Sequence, residues 1–168
     1  MKPFRLWLYY LLVHNLPETR FFGLKAFLLR WCGAEVGDNV RINSSARFSG
    51  DGRLIIGDDV WIGAQTYISP VGNSVIRIGN CCDIAPRVML LTGTHAIDPA
   101  GPHIGGAGKS ASTFVGDGCW LGAASVILPG VSLADKTLVA AGAVVTRTTT
   151  NECCLIAGVP ACVKKCLQ

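Results

Sequence analysis

From Val36 onward, an aliphatic or aromatic residue returns at every sixth position of the chain. The count falls into three sets, 36–48, 56–68 and 78–90, separated by two and four extra residues, and after a long interruption it resumes from Val115 to Val145. The fifteen positions are Val36, Ile42, Phe48, Ile56, Ile62, Ile68, Ile78, Ile84, Leu90, Val115, Leu121, Ile127, Leu133, Val139 and Val145. The residue just after each of them is usually Gly, Ala or Ser, and the fourth is small or β-branched. A fixed period of this kind predicts a repeat fold rather than a β-sandwich.

Each six-residue unit predicts one short strand and one turn. A strand such as Val60-Trp61-Ile62 points its first and third side chains inward and its second outward. The next three residues, Gly63-Ala64-Gln65, form the turn, in which we expect the glycine to take the left-handed conformation. Three units make one coil, and stacked coils make a triangular prism with a continuous core. Five coils fit, over residues 36–53, 54–77, 78–95, 115–132 and 133–150.

The flanking segments differ from this body. Residues 1–35 predict a helical segment, in which Phe4, Leu8, Leu11 and Leu12 recur at helical spacing before a break at Leu16-Pro17. A second helical run, Thr19 to Trp31, carries Phe22, Ala26 and Leu29 on one side. Residues 36–150 form the repeat body with a loop excursion at 96–114, and residues 151–168 form a tail that caps it. Among the coil positions, Thr94 is expected to point inward just before that excursion.

Composition narrows the function classes. The chain has 168 residues, 15 basic and 11 acidic side chains and a net charge of +4, and half of its residues are apolar. Disorder, a collagen helix and strongly basic nucleic-acid binding are therefore disfavoured. No apolar run approaches the ~20 residues that span a bilayer, and the short stretch Leu6–Val13 does not resemble a secretory leader. Eight cysteines without a leader indicate a reducing compartment, so we expect a cytoplasmic protein and no structural zinc site.

The repeat resembles that of the hexapeptide-repeat acyltransferases. The most specific segments are Val115-Gly116-Asp117-Gly118-Cys119-Trp120-Leu121-Gly122-Ala123, Ala140-Ala141-Gly142-Ala143-Val144-Val145-Thr146 and Ala157-Gly158-Val159-Pro160-Ala161. Within that superfamily they look like the galactoside, maltose and capsular-polysaccharide O-acetyltransferases. The resemblance implies an all-β fold, a left-handed parallel β-helix. It also implies an enzyme that uses acetyl-CoA as acyl donor and a carbohydrate hydroxyl as acceptor. Relatives of this kind are homotrimers with active sites between neighbouring prisms.

His95 is the candidate catalytic residue. It stands at the root of the long loop, in an outward position, and Thr92-Gly93-Thr94-His95 resembles the catalytic-histidine segment of the family. A neutral imidazole suits removal of a proton from a sugar hydroxyl while the oxygen attacks the thioester directly. No acyl-enzyme is needed. Asp98 would orient the ring or, as the simpler reading, is a solvated loop acid.

The remaining site residues come from the resemblance alone. Trp120 matches a tryptophan beside the acceptor and cofactor cleft, although interface packing is an alternative. Ala123, Ala141 and Thr146 match positions that line the pantetheine channel, and Lys164 and Lys165 would meet the phosphates of CoA. Two departures weaken this assignment: Cys162 stands where the family commonly has Lys or Arg, and Ala123 replaces a serine of the galactoside enzymes.

Outward side chains predict an interface between copies. Tyr67, Met89, Val126 and Val144 fall on one face of the prism, with Arg47 at its end, while Trp61 and Trp120 fall on another. An exposed apolar stripe of this kind is typical of an oligomer contact. Residues 1–35 carry a net charge of +3, and a basic amphipathic helix either caps the prism or lies peripherally on the inner face of a membrane.

Several alternatives remain open. An N-acetyltransferase acting on an amino sugar and a serine O-acetyltransferase keep the same chemistry with another acceptor; residues His103 to Lys109 resemble the serine-enzyme loop faintly. A zinc hydratase of the γ-carbonic-anhydrase type needs three histidine ligands, and the repeat body supplies only His95 and His103. A purely structural β-helix would show repeated outward threonines, whereas the outward positions here are varied.

Overall fold

The structure, a computed structural model, describes residues 1–167 and consists of two short helices followed by strands of two to six residues. The elements are α1 (Pro3–Val13), α2 (Phe22–Trp31), β1 (Glu35–Val36), β2 (Arg41–Ile42), β3 (Arg47–Phe48), β4 (Arg53–Ile56), β5 (Trp61–Ile62), β6 (Tyr67–Ser69), β7 (Val75–Ile78), β8 (Asp83–Ile84), β9 (Met89–Leu91), β10 (Gly93–Ile97), β11 (Gly105–Ser110), β12 (Thr113–Val115), β13 (Trp120–Leu121), β14 (Val126–Ile127), β15 (Ser132–Leu133), β16 (Leu138–Val139), β17 (Val144–Val145), β18 (Cys154–Gly158) and β19 (Ala161–Cys166). The last residue of the predicted tail 151–168 lies outside the described residues.

The strands form three parallel sheets that are the three sides of a prism. Sheet A has the order β1-β4-β7-β12-β15, sheet B runs from β2 through β5, β8, β13 and β16 to β18 and β19, and sheet C has the order β3-β6-β9-β14-β17. From β1 to β17, apart from the pair β10–β11, successive strands along the chain lie in A, B and C in turn, and β18 returns to sheet B. Five coils result, which confirms the predicted parallel β-helix.

The apolar residues of the six-residue repeat form the core of the prism. Of the fifteen predicted positions, fourteen are buried, and only Val36, in the first strand, is half-buried. Neighbouring coils are in register, so that inward residues stack on inward residues: Ile62 lies opposite Ile84, and Ile84 opposite Leu121. The core is therefore a continuous aliphatic column, which the apolar positions of each new coil extend.

The turns use glycine differently from the prediction. Gly63, expected in the left-handed conformation, is not among the residues with positive φ; the left-handed residue of that turn is Gln65, with φ 58°. Gly63 is required because a Cβ there would lie 2.7 Å from Pro86 N and 2.8 Å from Ala85 C of the next coil. The small residue after each strand thus permits close stacking of coils, and the turn itself is made two residues later.

The helices cover the first coil. The buried side of α1 consists of Leu6, Tyr9 and Val13, and that of α2 includes Ala26 and Leu29. The apolar residues that recur at helical spacing in α1 are not its buried side: Phe4, Leu11 and Leu12 are 71%, 58% and 55% exposed, and Leu8 is only half-buried. Helix α1 is apolar around most of its circumference, so its periodicity did not define which side would be buried. Neither helix is long and apolar enough to cross a membrane.

Side chains from the helices close the open edge of each sheet. On sheet B, where β2 is the last strand, the ammonium of the fully buried Lys25 donates to Ile42 O at 3.1 Å. The same ammonium donates to Pro17 O at 3.0 Å and Glu18 O at 2.8 Å, so all three of its protons are used. Burial lowers the pKa of Lys25 from its ordinary value.

The other two edges are closed in the same way. On sheet C, the hydroxyl of Tyr10 donates to Phe48 O at 2.6 Å and accepts from Phe48 N. On sheet A, Arg30 Nε donates to Val36 O at 2.7 Å. Unpaired strand edges attract other chains, so a helical cap with one polar side chain for each sheet protects the end of the prism.

The long excursion between the third and fourth coils is a β-hairpin. Strands β10 and β11 pair antiparallel, with Gly93 opposite Ser110 and His95 opposite Gly108. The chain leaves the coil earlier than the repeat count predicts, because Thr94, expected to point inward, is exposed as part of β10. Thr113, which is buried, donates to Leu91 O at 2.8 Å where the chain returns. At the other end of the prism, β18 and β19 extend sheet B.

Candidate functional site

His95 lies in the first strand of the hairpin and is exposed. Its Nδ1 is 2.9 Å from Gly106 O, in the opposite strand of the hairpin. A carbonyl oxygen only accepts, so Nδ1 carries the proton in the neutral ring, and Nε2 keeps its lone pair. The hydrogen bond thus fixes the tautomer that a general base requires, with the basic nitrogen on the opposite side of the ring from Gly106.

Asp98 does not orient His95. Its Oδ1 accepts hydrogen bonds from Ala100 N at 3.2 Å and Gly101 N at 3.0 Å, which close a turn within the hairpin loop. The simpler reading, a loop acid, agrees with these contacts. The sequence offered no direct signal for the role of Gly106, because the residue that faces a histidine across a hairpin depends on the register.

Three of the six residues in the strand opposite His95 are glycines. Gly105, Gly106 and Gly108 lie in β11, and a Cβ on Gly108 would meet nothing within 4 Å. A Cβ on Gly106, in contrast, would lie 2.8 Å from Asp98 Cβ. The glycine at 106 is therefore needed for the fold of the hairpin, whereas a side chain at 108 would have open space.

The predicted residues fall into groups at opposite edges of sheet C. Ala123 and Ala141 precede β14 and β17, and the two turns are joined by a hydrogen bond from Gly142 N to Ala123 O at 2.8 Å. His95 and Thr146 follow β9 and β17. Because the strands of sheet C are parallel, all of them begin along one side of the sheet and all of them end along the opposite side. Within one chain, Ala123 and Ala141, the residues predicted to line the pantetheine channel, are therefore kept apart from His95.

Trp120 lies on sheet B, where it forms part of a cleft. Trp61, Asp83 and Trp120 are in register on three successive strands, so the two indoles are two strand spacings apart, about 10 Å. They line a cleft of about 450 Å³ together with Ala85 and Pro86, and Asp83 lies between them. Trp120 is 56% exposed.

Trp61 is the more firmly held of the two tryptophans. Arg41 stacks over its ring at 5.3 Å, and the ring of Phe22 meets it edge-on at 5.9 Å. One wall of the cleft is thereby fixed by its neighbours. The sequence placed both tryptophans on one face but gave no role to Asp83, whose position between them follows only from the register.

The lysine pair lies in β19, at the far end of sheet B. Lys165 is opposite Leu155, in the register that continues to Leu138 and Trp120, and a register irregularity occurs next to that pair. Both Lys164 and Lys165 are exposed. The structure therefore brings Trp120 and Lys165 onto one sheet, and Ala123 and Ala141 onto the adjoining corner.

Cys162, which replaces a basic residue of the family pattern, borders a separate cavity. This cavity of about 240 Å³ lies where the last coil meets β19, and Arg147 is the only cation among its lining residues. No hairpin residue lines it. The exposed thiols of the described residues are Cys81, Cys162 and Cys166. Within residues 1–167, no three His, Cys, Asp or Glu side chains converge as a metal-binding group.

Comparison with protein families identifies the repeat. Residues 53–85 and 113–147 match the family model described as "Hexapeptide repeat of succinyl-transferase". The putative colanic acid biosynthesis acetyltransferase WcaF of Escherichia coli K12 is 34% identical over 117 residues, which are 70% of this chain and 61% of WcaF. The galactoside O-acetyltransferase of Lactococcus lactis is 29% identical over 71% of this chain and 57% of its own. The chain thus spans about three fifths of the length of these curated relatives.

Solved structures show the same fold. A galactoside acetyltransferase in complex with coenzyme A superposes with a TM-score of 0.71 at 21% identity, covering 98% of this chain and 80% of that one. AntD, an N-acyltransferase from Bacillus cereus in complex with dTDP and 3-hydroxybutyryl-CoA, gives 0.70 at 22% identity, covering 82% and 74%. These likenesses confirm the left-handed β-helix.

Proposed function

We propose that this chain is an acyltransferase of the hexapeptide-repeat kind and that it transfers an acetyl group from acetyl-CoA to a carbohydrate hydroxyl. The observation that carries this proposal is the hydrogen bond from His95 Nδ1 to Gly106 O, which leaves Nε2 as an exposed base. The relatives named above are a galactoside O-acetyltransferase and a putative colanic acid biosynthesis acetyltransferase, and one structural neighbour holds coenzyme A.

The reaction needs one proton carrier and no covalent enzyme intermediate. Nε2 of His95 takes the proton of the sugar hydroxyl as its oxygen bonds to the thioester carbonyl carbon. The tetrahedral intermediate then collapses, the carbon–sulfur bond breaks, and the departing thiolate receives the proton from Nε2. None of the exposed thiols lies in the hairpin, in keeping with direct transfer.

The site is completed by a second copy of the chain. Ala123 and Ala141 lie at the edge of sheet C opposite His95, so a pantetheine arm along that edge would meet the imidazole of a neighbouring prism. The outward row Arg47, Tyr67, Met89, Val126, Val144 is continuous in register on sheet C. Sheet C, whose outward row is apolar or aromatic except for Arg47, is the contact surface of the proposed homotrimer.

The cofactor would lie along the corner between sheets B and C. Ala123 and Ala141 present small side chains and backbone there, while Lys164 and Lys165 stand beyond the last coil, where the phosphates of CoA would be. Thr146, at the other edge of sheet C, would reach the cofactor of the adjacent active site. The donor of this chemistry is acetyl-CoA.

The acceptor would bind in the cleft that contains Asp83. Tryptophan rings offer flat apolar faces for a pyranose, and a carboxylate between them accepts hydrogen bonds from its hydroxyls. The same carboxylate would pair with the ammonium of an amino sugar. The position of Asp83 between the two rings is the specific observation that keeps N-acetylation as a second candidate.

A turnover screen with acetyl-CoA tests the proposal on neutral sugars, amino sugars and serine. We expect His95→Ala to lose about 10²–10⁴-fold in kcat, the usual contribution of a positioned general base. His103→Ala, at the tip of the same hairpin, is the matched control and should retain turnover. Asp83→Asn should raise KM for an amino sugar more than for a neutral one if the ammonium pairs with Asp83. Full turnover by His95→Ala would overturn the assignment of the base.

A further inference from the structure

The outward sides of the two helices form an apolar plate, which we define by Phe4, Trp7 and Leu11 of α1 and Leu24, Phe27 and Trp31 of α2. Their side chains are between 39% and 71% exposed. Residues 1–31 hold eight of the sixteen large apolar residues that are exposed in the described chain, although they are less than a fifth of it. The exposed apolar surface is thus concentrated at one end of the molecule.

The plate faces away from the core because of simple helix geometry. Each plate residue of α1 precedes a buried one by two positions: Phe4 and Leu6, Trp7 and Tyr9, Leu11 and Val13. Two residues correspond to about 200° of helix rotation, so the plate is on the opposite side from the core. A helix that is apolar on both sides is normally covered on both sides.

The two helices present the plate as one rigid unit. Arg5 Nη1 donates to Trp31 O at 2.7 Å, and the same guanidinium stacks over the ring of Trp31 at 4.9 Å. The rings of Phe4 and Trp7 stack with centroids 6.1 Å apart. The plate is therefore a preformed surface whose two rows of side chains are joined to each other.

The charges around the plate are cationic. Lys2 precedes α1, Arg20 lies in the loop before α2, and Arg5 borders Trp31; Lys2 and Arg20 are exposed. One of the two acids of this segment, Glu18, is turned to the β-helix, where it accepts from Ser45 N. An exposed apolar helix face in a segment with a net positive charge is typical of surfaces that lie in the interface of an anionic bilayer.

We propose that the plate docks this end of the protein on an anionic lipid bilayer. A second copy of the chain has its own contact surface in the outward row of sheet C. Of the plate, only Trp7 and Leu11 reach that row, in a groove that they share with Arg47, whereas the residues of α2 do not line this groove. In the proposed homotrimer, an assumption that rests on the proposed function, parallel prisms would present three plates at the same end. Three coplanar plates match a flat surface and increase the affinity by multivalency.

Vesicle sedimentation of the full chain tests this docking. We expect binding to phosphatidylcholine vesicles that contain phosphatidylglycerol and much less binding to phosphatidylcholine alone. Lys2→Gln with Arg20→Gln should weaken binding roughly 30-fold, since each basic residue near an anionic surface contributes about 1 kcal/mol. Trp7→Ser with Phe27→Ser should abolish it. Lys136→Gln and Val163→Ser, exposed residues outside the plate, are the matched controls.

Two outcomes would overturn docking. One is equal sedimentation of wild type with and without the anionic lipid; the other is a change of oligomeric state, without vesicles, in the Trp7/Phe27 variant, which would make the plate a contact between copies. Acetyl transfer to a water-soluble sugar should be unchanged in all plate variants. That readout separates failure of docking from failure of the proposed function.

Discussion

Lys25 offers the most direct test of how the helices hold the end of the prism. Its ammonium is fully buried and donates to three carbonyl oxygens, two in the loop before α2 and one, Ile42 O, on the edge strand of sheet B. Lys25→Met keeps much of the side-chain volume and removes all three donors. The bond to Ile42 O is buried, whereas those to Pro17 O and Glu18 O are only partly so.

These contacts set the size of the effect. A buried carbonyl left without a donor costs about 1–3 kcal/mol, which applies to Ile42 O. The carbonyls of Pro17 and Glu18 can take up water, so each should lose nearer ~1 kcal/mol, the typical net value of a hydrogen bond. The sum is about 3–5 kcal/mol. Removal of the unfavourable desolvation of the ammonium offsets part of it, so we expect a net loss of about 3 kcal/mol in the free energy of unfolding.

Urea unfolding, followed by circular dichroism, measures the loss, with Lys2→Met as control. Lys2 is an exposed lysine of the same segment, so its substitution should change the free energy of unfolding by less than about 0.5 kcal/mol. A loss below about 1 kcal/mol for Lys25→Met would refute the reasoning, because it would mean that the edge of sheet B does not depend on this donor.

Two further predictions concern the cap and the hairpin. Burial raises the pKa of Tyr10 to about 12, so the unfolded chain releases this proton at lower pH than the folded chain does. The free energy of unfolding should therefore fall between about pH 10 and 12, and it should fall less steeply in Tyr10→Phe. Urea titrations at several pH values would measure both slopes. An unchanged slope in that variant would contradict the assignment. Gly106→Ala should lower kcat about 10–100-fold with little change in KM for acetyl-CoA. The Cβ of the new alanine would lie 2.8 Å from Asp98 Cβ, so the carbonyl of residue 106, which orients His95, would shift. Gly108→Ala, whose Cβ would meet nothing within 4 Å, should keep full turnover, and equal losses in the two variants would argue against a positioning role for residue 106.

The coils were predictable because their signal is local. Each inward position must be apolar, so residues such as Ile62 and Leu121 repeat at a fixed interval whatever the rest of the chain does. The same argument failed at Thr94, where the six-residue count continues but the backbone already belongs to β10. The cost of burying a threonine or exposing it is small, so the sequence contained little information about where the coil ends.

The candidate site was predictable only in part. His95 was identified by its position beside a break in the repeat and by a resemblance. Its partner, Gly106 O, is a backbone atom, and every residue has a backbone carbonyl, so the sequence does not indicate which one accepts from His95. Asp83 was missed for a related reason: its place between the two tryptophans depends on the number of coils between strands, which includes the whole hairpin.

In the helical cap, formed by α1 and α2, the usual placement of charged and apolar side chains is reversed. In a helix that only covers a core, apolar residues face inward and charged residues face water. Here Lys25 and Arg30 direct their cations to the edge strands, while Phe27 and Trp31 are exposed on the other side of α2. The donors are needed inward because the edges of sheets A and B have unpaired carbonyls. Nothing in edge protection, however, requires aromatic rings on the far side, where polar residues would serve a cap equally well. The apolar plate therefore needs a cause of its own, and a surface that covers it supplies one.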